Sequence, residues 1–408
     1  MRPPLFATLA FSGFLLALSC APASGLGIAI LNQDPTAYSR GNAFTATADN
    51  PSAIFYNPAG ITQLPGGNVQ FGLYGVTFDS NVKPVGGGNF DTPNKLQSVP
   101  QFYATYVIPE TRFSLGVGVY SPFGLGTEYP DNTPFRSLAT YAKLIYITFN
   151  PVVAYKVTNT FSVAAGPTIN YANADFRRGI LVPGDEFRFG GDGYACGFAL
   201  GAMWQPAQQH SFGLTYRSAT KMDLYGNVDI TSQTQFLFPS SRERATAHID
   251  FPQQIIGGYS FRPTPQWNLE ADVNWTDWSQ DRNLTVREAS GTNVLDMFGW
   301  HSEFTVSTGA TYSFHNGLAL SGGFFFCPGA TPDANYTPSV PDTNLYCFTA
   351  GAEYHFNQHW RASLAYGFAY GQNHTVVNSA PTSPAGQTAD GKYRFNGSGV
   401  SLAVGYSF

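Results

Sequence analysis

The sequence predicts an all-β protein, a 14-stranded antiparallel transmembrane β-barrel with an N-terminal plug, and three observations predict it. A secretory leader opens the chain. Period-two alternation recurs from about residue 68 to residue 408, and the connections between alternating segments are short and long by turns.

The leader comes first. Arg2 precedes an apolar stretch over residues 5–18, and Ala21-Pro22-Ala23 follows. A charged start, an apolar run too short to span a bilayer and small residues before a cleavage point make residues 1–23 a signal peptide. Cys20 opens a rival reading, lipoprotein processing, for which Ala17-Leu18-Ser19 is a poor match.

Composition then narrows the class. Charged residues are 12% of the chain, about half the usual share, while aromatics are 15% and glycines number 43. No later apolar run reaches the ~18 residues of a membrane helix. A mean hydropathy of -0.13 is low for a helical membrane protein, yet so little charge suits a soluble one poorly. A barrel reconciles the two, because only every second strand residue must face lipid. The net charge of -5 argues against a nucleic-acid partner.

Within residues 361–370, Ala362, Leu364, Tyr366, Phe368 and Tyr370 alternate with Ser363, Ala365, Gly367 and Ala369. Large groups on one face and small ones on the other suit lipid outside and a lumen inside. Within residues 267–276, Trp267, Leu269, Val273 and Trp275 alternate with Glu270, Asp272, Asn274 and Thr276. About fourteen such segments run from 68–79 to 395–408, an even number as bacterial barrels require. Every second connection is tight, as at 109–111, 158–160, 206–209, 262–266, 315–317 and 357–359. Those between are long: 175–192, 223–245, 279–301 and 328–344. That asymmetry distinguishes periplasmic turns from exterior loops in the outer membrane of a Gram-negative bacterium. The final strand alternates Val400, Leu402, Val404, Tyr406 and Phe408 with small residues. Such an ending resembles the signal by which barrel-assembly machinery recognises its clients. Residues 24–67 do not alternate and carry the turn-like Asn57-Pro58-Ala59-Gly60, so they are expected to plug the lumen of the barrel formed by residues 68–408.

Several ordered motifs resemble one family. Gly25-Leu26-Gly27 and the stretch from Ala48-Asp49-Asn50-Pro51 through Ile54-Phe55-Tyr56-Asn57-Pro58-Ala59-Gly60 are similar to the N-terminal hatch of the FadL-type long-chain fatty acid transporters. That family includes aromatic-hydrocarbon transporters of the TodX type. Ser121-Pro122-Phe123-Gly124-Leu125-Gly126, Leu214-Thr215-Tyr216-Arg217-Ser218 and Glu270-Ala271-Asp272-Val273-Asn274-Trp275-Thr276-Asp277-Trp278 extend the resemblance along the chain. It implies a fourteen-stranded barrel with a hatch, passive uptake of a hydrophobic small molecule, and no catalysis.

The resemblance also implies a route. Substrate would first dock in an apolar groove between two exterior loops, here carrying Ile180, Leu181 and Phe187 on one and Phe236 and Phe238 on the other. It would then meet a basic residue inside, at Arg178, which continues the inward parity of Ser162, Thr168 and Asn170. Where some members carry a lysine this chain has His301, mostly neutral at pH 7, which leaves carboxylate capture resting on Arg178. The expected substrate is a long-chain fatty acid, with an aromatic or aliphatic hydrocarbon as the alternative. Both side chains are equally compatible with simple solvation at a loop base. Release would be sideways through the third strand at Pro122, Phe123, Gly124 and Gly126, where proline removes a ladder donor and glycines permit a bend.

Cys327 ends one strand and Cys347 begins the next, with shared inward parity, so a disulfide worth roughly 3 kcal/mol is expected between them. Cys196 is left as buried filler. The seven histidines show no metal-ligand spacing and no cofactor is expected. A barrel lipase or acyltransferase would need a Ser-His-acid constellation, and no Gly-x-Ser-x-Gly elbow is present. A hydrophilic porin is a third alternative, disfavoured by the plug-like segment and the sparse charge. The chain is expected to be a monomer in outer-membrane lipid.

Overall fold

The computed structural model describes residues 28–233, 239–280, 283–381 and 385–408. The expected signal peptide, Gly25-Leu26-Gly27, Phe236 and Phe238 lie outside the described residues. One antiparallel sheet closes on itself as a 14-stranded barrel. Its strands are β1 (Gly67–Pro84), β2 (Gln97–Val107), β3 (Phe113–Tyr120 and Gly124–Glu128), β4 (Tyr141–Lys156), β5 (Phe161–Gly179), β6 (Glu186–Ala207) and β7 (His210–Arg217 and Thr220–Thr231). The ring continues through β8 (Ser241–Phe251 and Gln254–Thr264), β9 (Trp267–Thr276), β10 (Glu303–Ser313), β11 (Leu318–Cys327), β12 (Leu345–His355), β13 (Trp360–Gly371) and β14 (Gly391–Ser407). Closure comes from β1 against β14, in register from Asn68↔Ser407 to Pro84↔Gly391.

Alternation sorts the side chains as expected. Phe71, Leu73, Leu200, Leu364, Tyr366, Leu402 and Val404 are exposed on the outer surface, where lipid replaces water as their solvent. Asn150, Asn170, Thr215, Glu270, Asp272, Asn274 and Ser401 are buried inside. Tight turns gather at one end and the longer connections at the other.

The outer ends of the strands differ from expectation. β5 and β6 run for 19 and 22 residues and occupy most of the expected loop 175–192. Asp175, Arg177, Glu186 and Arg188 read as a solvated loop, but these strands continue beyond the lipid-facing band and still pair there, Arg178 opposite Phe187. The expected loop 279–301 contains a hairpin, Asn283–Glu288 against Asn293–Met297, whose first arm extends the ladder beside β8 with Ala247 opposite Val286.

Residues 28–64 lie inside the ring, almost entirely buried. A short helix α1 (Pro35–Ser39) is capped by Asp34, whose Oδ1 accepts from Ala37 N at 2.9 Å. Helix α2 (Ala53–Tyr56) leads into a 3-10 turn, Pro58–Gln63, capped by Asn57. Two carboxylates of β9 hold the stretch between the helices. Asp272 Oδ2 accepts from Phe44 N and Thr45 N, both at 2.9 Å, and Glu270 Oε1 accepts from Ala46 N at 2.7 Å and Thr47 N at 3.1 Å. On the two adjoining strands, β10 and β11, the segment's backbone lies directly on the wall at Gly309 and Gly323, where any Cβ would collide with the backbone of Arg40.

The expected disulfide is not formed, and Cys196, Cys327 and Cys347 are all free. Cys327 stands opposite Leu345 and Cys347 opposite Phe325, so the two cysteines are diagonal neighbours on one face. Diagonal Cα separations are about 7–8 Å, too wide for a disulfide without backbone movement. Cys327 Sγ instead lies 3.1 Å from Thr305 Oγ1. Cys196 is exposed opposite Ile169 on the lipid face, a correction to its reading as buried filler.

Candidate functional site

A cavity of about 510 Å³ occupies the outer end of the barrel. Its floor is Ile28 of the N-terminal segment and Leu125 of β3. Phe176, Phe187 and Phe189 of β5 and β6 form one wall, the hairpin's Leu284 and Val286 another, and Tyr336 and Val340 reach in from loop 328–344. The volume lies within the range of small-molecule sites and the lining is mostly apolar, as in such sites generally.

Among the described residues, charge on the cavity lining is confined to Arg177, Arg178 and Asp296. Arg178 lies over the Phe187 ring at 5.1 Å, a contact that suits a planar guanidinium, and its Nη1 donates to Asp296 Oδ1 at 3.1 Å. Arg177 is engaged by Asp175 at 2.7 Å and lies 4.7 Å over the Tyr141 ring. The cavity is therefore an apolar chamber with a cationic edge.

The structure brings Arg178 and Phe187 together on its lining but not the other described candidates. Ile180 and Leu181 are half-buried on the short connection after β5 and do not line it. His301 is exposed, lies before β10 begins, and donates its backbone N–H to Ala330 O at 2.9 Å. Arg177, Asp296, Phe298 and Trp300 were missed. Strict parity points only one of the two adjacent arginines inward, and nothing in the sequence signals that the hairpin folds over the opening.

Directly beneath the cavity, β3 is broken at residues 121–123. Below the break it pairs with β2 from Val107↔Ser114 to Phe102↔Val119. Above it, Gly124–Glu128 pairs with β4 alone, while residues 97–101 pair with β1. The two edges have no backbone ladder between them. Phe123 turns inward and packs on Tyr146, Phe251 and Trp278. Backbone groups freed at the break are satisfied by the N-terminal segment: Ile30 N donates to Pro122 O and Gly124 N to Ile28 O, both at 2.8 Å. The turn-like Asn57 motif lies elsewhere. Asn57 Nδ2 donates to Ala202 O of β6 at 3.0 Å, Pro58 packs on Gly201, and Gly60 lies against Ala48. Its predecessor Phe55 does reach the broken strand, 5.1 Å from the Tyr120 ring.

A profile described as outer membrane protein transport protein (OMPP1/FadL/TodX) matches residues 15–408. The chain belongs to the FadL/TodX family. It is 24% identical over 411 residues to the long-chain fatty acid transport protein of Escherichia coli (strain K12), covering 89% of each chain. It also superposes on the crystal structure of a Pseudomonas aeruginosa FadL homologue with a TM-score of 0.84 at 19% identity, covering 94% of this chain and 100% of that one. The P. putida toluene transporter TodX gives a TM-score of 0.73 at 18% identity, covering 94% and 99%. Like its FadL/TodX relatives, the protein is thus placed in the outer membrane as a multi-pass barrel.

In this FadL/TodX chain the base of the excursion 277–302 is tied by Asp277. Burial pushes its carboxyl up, but side-chain hydrogen bonds from Ser279, Gln253, Ser302 and Gln280 outweigh that and bring it down to about 2. A folded value below the ordinary 3.8 contributes stability that is present above pH 3.8 and lost as pH falls through 2. Acidification through this window is expected to expose the excursion to acid-active proteases, and Asp277→Asn to abolish that particular pH step.

Proposed function

We propose that this outer-membrane transporter takes up long-chain fatty acids by passive diffusion, from the outer cavity past the N-terminal segment to the gap beside β3. The observation that carries the reading is Arg178 at the rim of an otherwise apolar chamber. An alkyl chain gains about 25 cal/mol per Å² by leaving water, and a guanidinium at one end distinguishes a carboxylate from a hydrocarbon. Residues 24–67 serve as the hatch over this route. The floor residue Ile28 is bonded to the broken strand, so passage requires the segment to shift there. Transport proceeds without catalysis.

A neutral aromatic or aliphatic hydrocarbon is the second reading. It is favoured by Asp296 already neutralising Arg178 and by His301 lying outside the cavity. Uptake of radiolabelled oleate and toluene by a transporter-null Gram-negative host expressing the chain separates the two. Arg178→Ala is expected to lower oleate uptake about tenfold, the worth of a charge-assisted hydrogen bond, and to leave toluene unaffected. Uptake of neither compound overturns both readings. We further propose a monomer assembled through its C-terminal strand, where the Phe408 side chain is 65% exposed for recognition.

A further inference from the structure

Charges around the cavity balance one another before any substrate arrives. The guanidiniums of Arg177, Arg178 and Arg188 face the carboxylates of Asp175 and Asp296, and Glu186 opens β6 nearby. The two paired carboxylates are held very differently. Asp175 receives both Nε and Nη2 of Arg177 and of Arg188, at 2.7 to 3.0 Å, and its side chain is 17% exposed. Asp296 is held among the described residues by one hydrogen bond of 3.1 Å, from Arg178 Nη1, and is 45% exposed. It stands on the second arm of the hairpin, Asn293–Met297, which among the described residues is laddered only to the first arm.

We propose that Asp296 is a built-in stand-in for the substrate: its carboxylate occupies Arg178 in the empty site, and the carboxylate of an incoming long-chain acid displaces it. The inference rests on the fatty-acid reading above. A guanidinium facing an apolar chamber with no counter-ion is costly, and the internal carboxylate removes that cost. Exchange then replaces one carboxylate with another, while Asp296, already half in water, returns to solvent at little expense. A neutral ligand has nothing to exchange and must bind with the ion pair intact. Asp296 therefore sets specificity by competition. Departure of Asp296 also unties the second hairpin arm from β5, coupling recognition of the headgroup to loosening of the cavity wall.

Removing the competitor raises the fraction of Arg178 available, so apparent affinity for the acid rises with it. A part-exposed pair of this kind is worth about a two- to fivefold change in affinity. The test is calorimetric titration of the full-length, detergent-solubilised protein with oleate and with oleyl alcohol, in the parent, Asp296→Asn, Asp296→Ala, Arg178→Ala and the Arg178→Ala/Asp296→Ala double variant. Expected are two- to fivefold tighter oleate binding in both Asp296 variants, unchanged oleyl alcohol binding, and no tightening of oleate in the Arg178→Ala background. Asp296→Asn preserves shape, so a folding defect in the alanine variant leaves the comparison intact. Oleate binding that is unchanged or weaker in Asp296→Asn overturns the proposal while leaving the transport reading standing. Equal tightening of oleyl alcohol also overturns it, since Asp296 would then be a wall contact and not a carboxylate competitor. If the parent binds neither ligand, the fatty-acid reading falls and this inference with it.

Discussion

Replacing Asp272 by alanine is expected to loosen the N-terminal segment and make the barrel leak small hydrophilic solutes. Asp272 Oδ2 is the acceptor for two consecutive backbone amides, Phe44 N and Thr45 N, in a site where its side chain is almost wholly buried. Without it both donors lose their partner, at about 1–3 kcal/mol for each buried group left unsatisfied. Removing one of two neighbouring buried carboxylates on the same face of β9 returns part of this, because a buried polar group is costly to desolvate. The deficit should still exceed the gain, since two buried amide donors are left without an acceptor. Liposome swelling with small sugars should be faster for Asp272→Ala than for the parent, and Asp272→Asn, which keeps one acceptor, should fall between them. Parent-like swelling by Asp272→Ala would falsify the anchoring role.

Gly323→Val should displace the same segment from the stretch of wall two strands along from Asp272. A Cβ at residue 323 would fall inside the contact distance of the Arg40 and Gly41 backbones, neither of which has a flexible side-chain end to move aside. Gly41 itself has a φ of +64° and lies against Phe324 in the same way, so the pair meets backbone to backbone. Overpacking of this kind typically costs about 1–3 kcal/mol, and more where backbone must move. The neighbouring Gly322 is the control. It faces outward, with its nearest neighbour to an added Cβ 3.9 Å away, so Gly322→Ala should leave thermal unfolding near the parent's. Limited proteolysis of residues 36–48 in Gly323→Val, with the barrel still intact, would distinguish ejection of the segment from failure to fold.

The barrel was legible because period-two alternation records a physical constraint that acts at every strand position between lipid and lumen. Leu364, Tyr366 and Phe368 had to face out, and Glu270, Asp272 and Asn274 had to face in. Beyond the lipid band that constraint lapses. Asp175, Arg177 and Arg188 therefore read as loop although they lie on strands. The cavity was half legible for the same reason. Arg178 lies on the cavity lining in line with the inward parity read for it, Phe187 lies there on a strand and not on the exterior loop expected for it, and Asp296, Phe298 and Trp300 depend on how residues 277–302 fold back. His301 was assigned from the family's lysine position, but it lies two residues before β10 begins, where strand geometry does not direct its side chain. The disulfide failed on a finer point: equal parity puts Cys327 and Cys347 on one face, but only register says whether they stand opposite or diagonal.

The pairing of β1 with β14 has a consequence for how ring and contents depend on one another. Residues 28–64 precede β1 in the chain and lie inside the ring, and the seam between first and last strands runs unbroken from Asn68↔Ser407 to Pro84↔Gly391. Tyr38 of α1 lies against Gly367 and Gly399 on the inner side of β13 and β14, beside that seam. A ring zipped shut while empty would have to admit its occupant afterwards through an end crowded by loops or turns. It would also lack the protein partners that the segment supplies to the backbone groups at Pro122 and Gly124. Seam and segment therefore stabilise one another: the closed ring holds its occupant, and the occupant supplies the inner faces of β3, β13 and β14 with their partners.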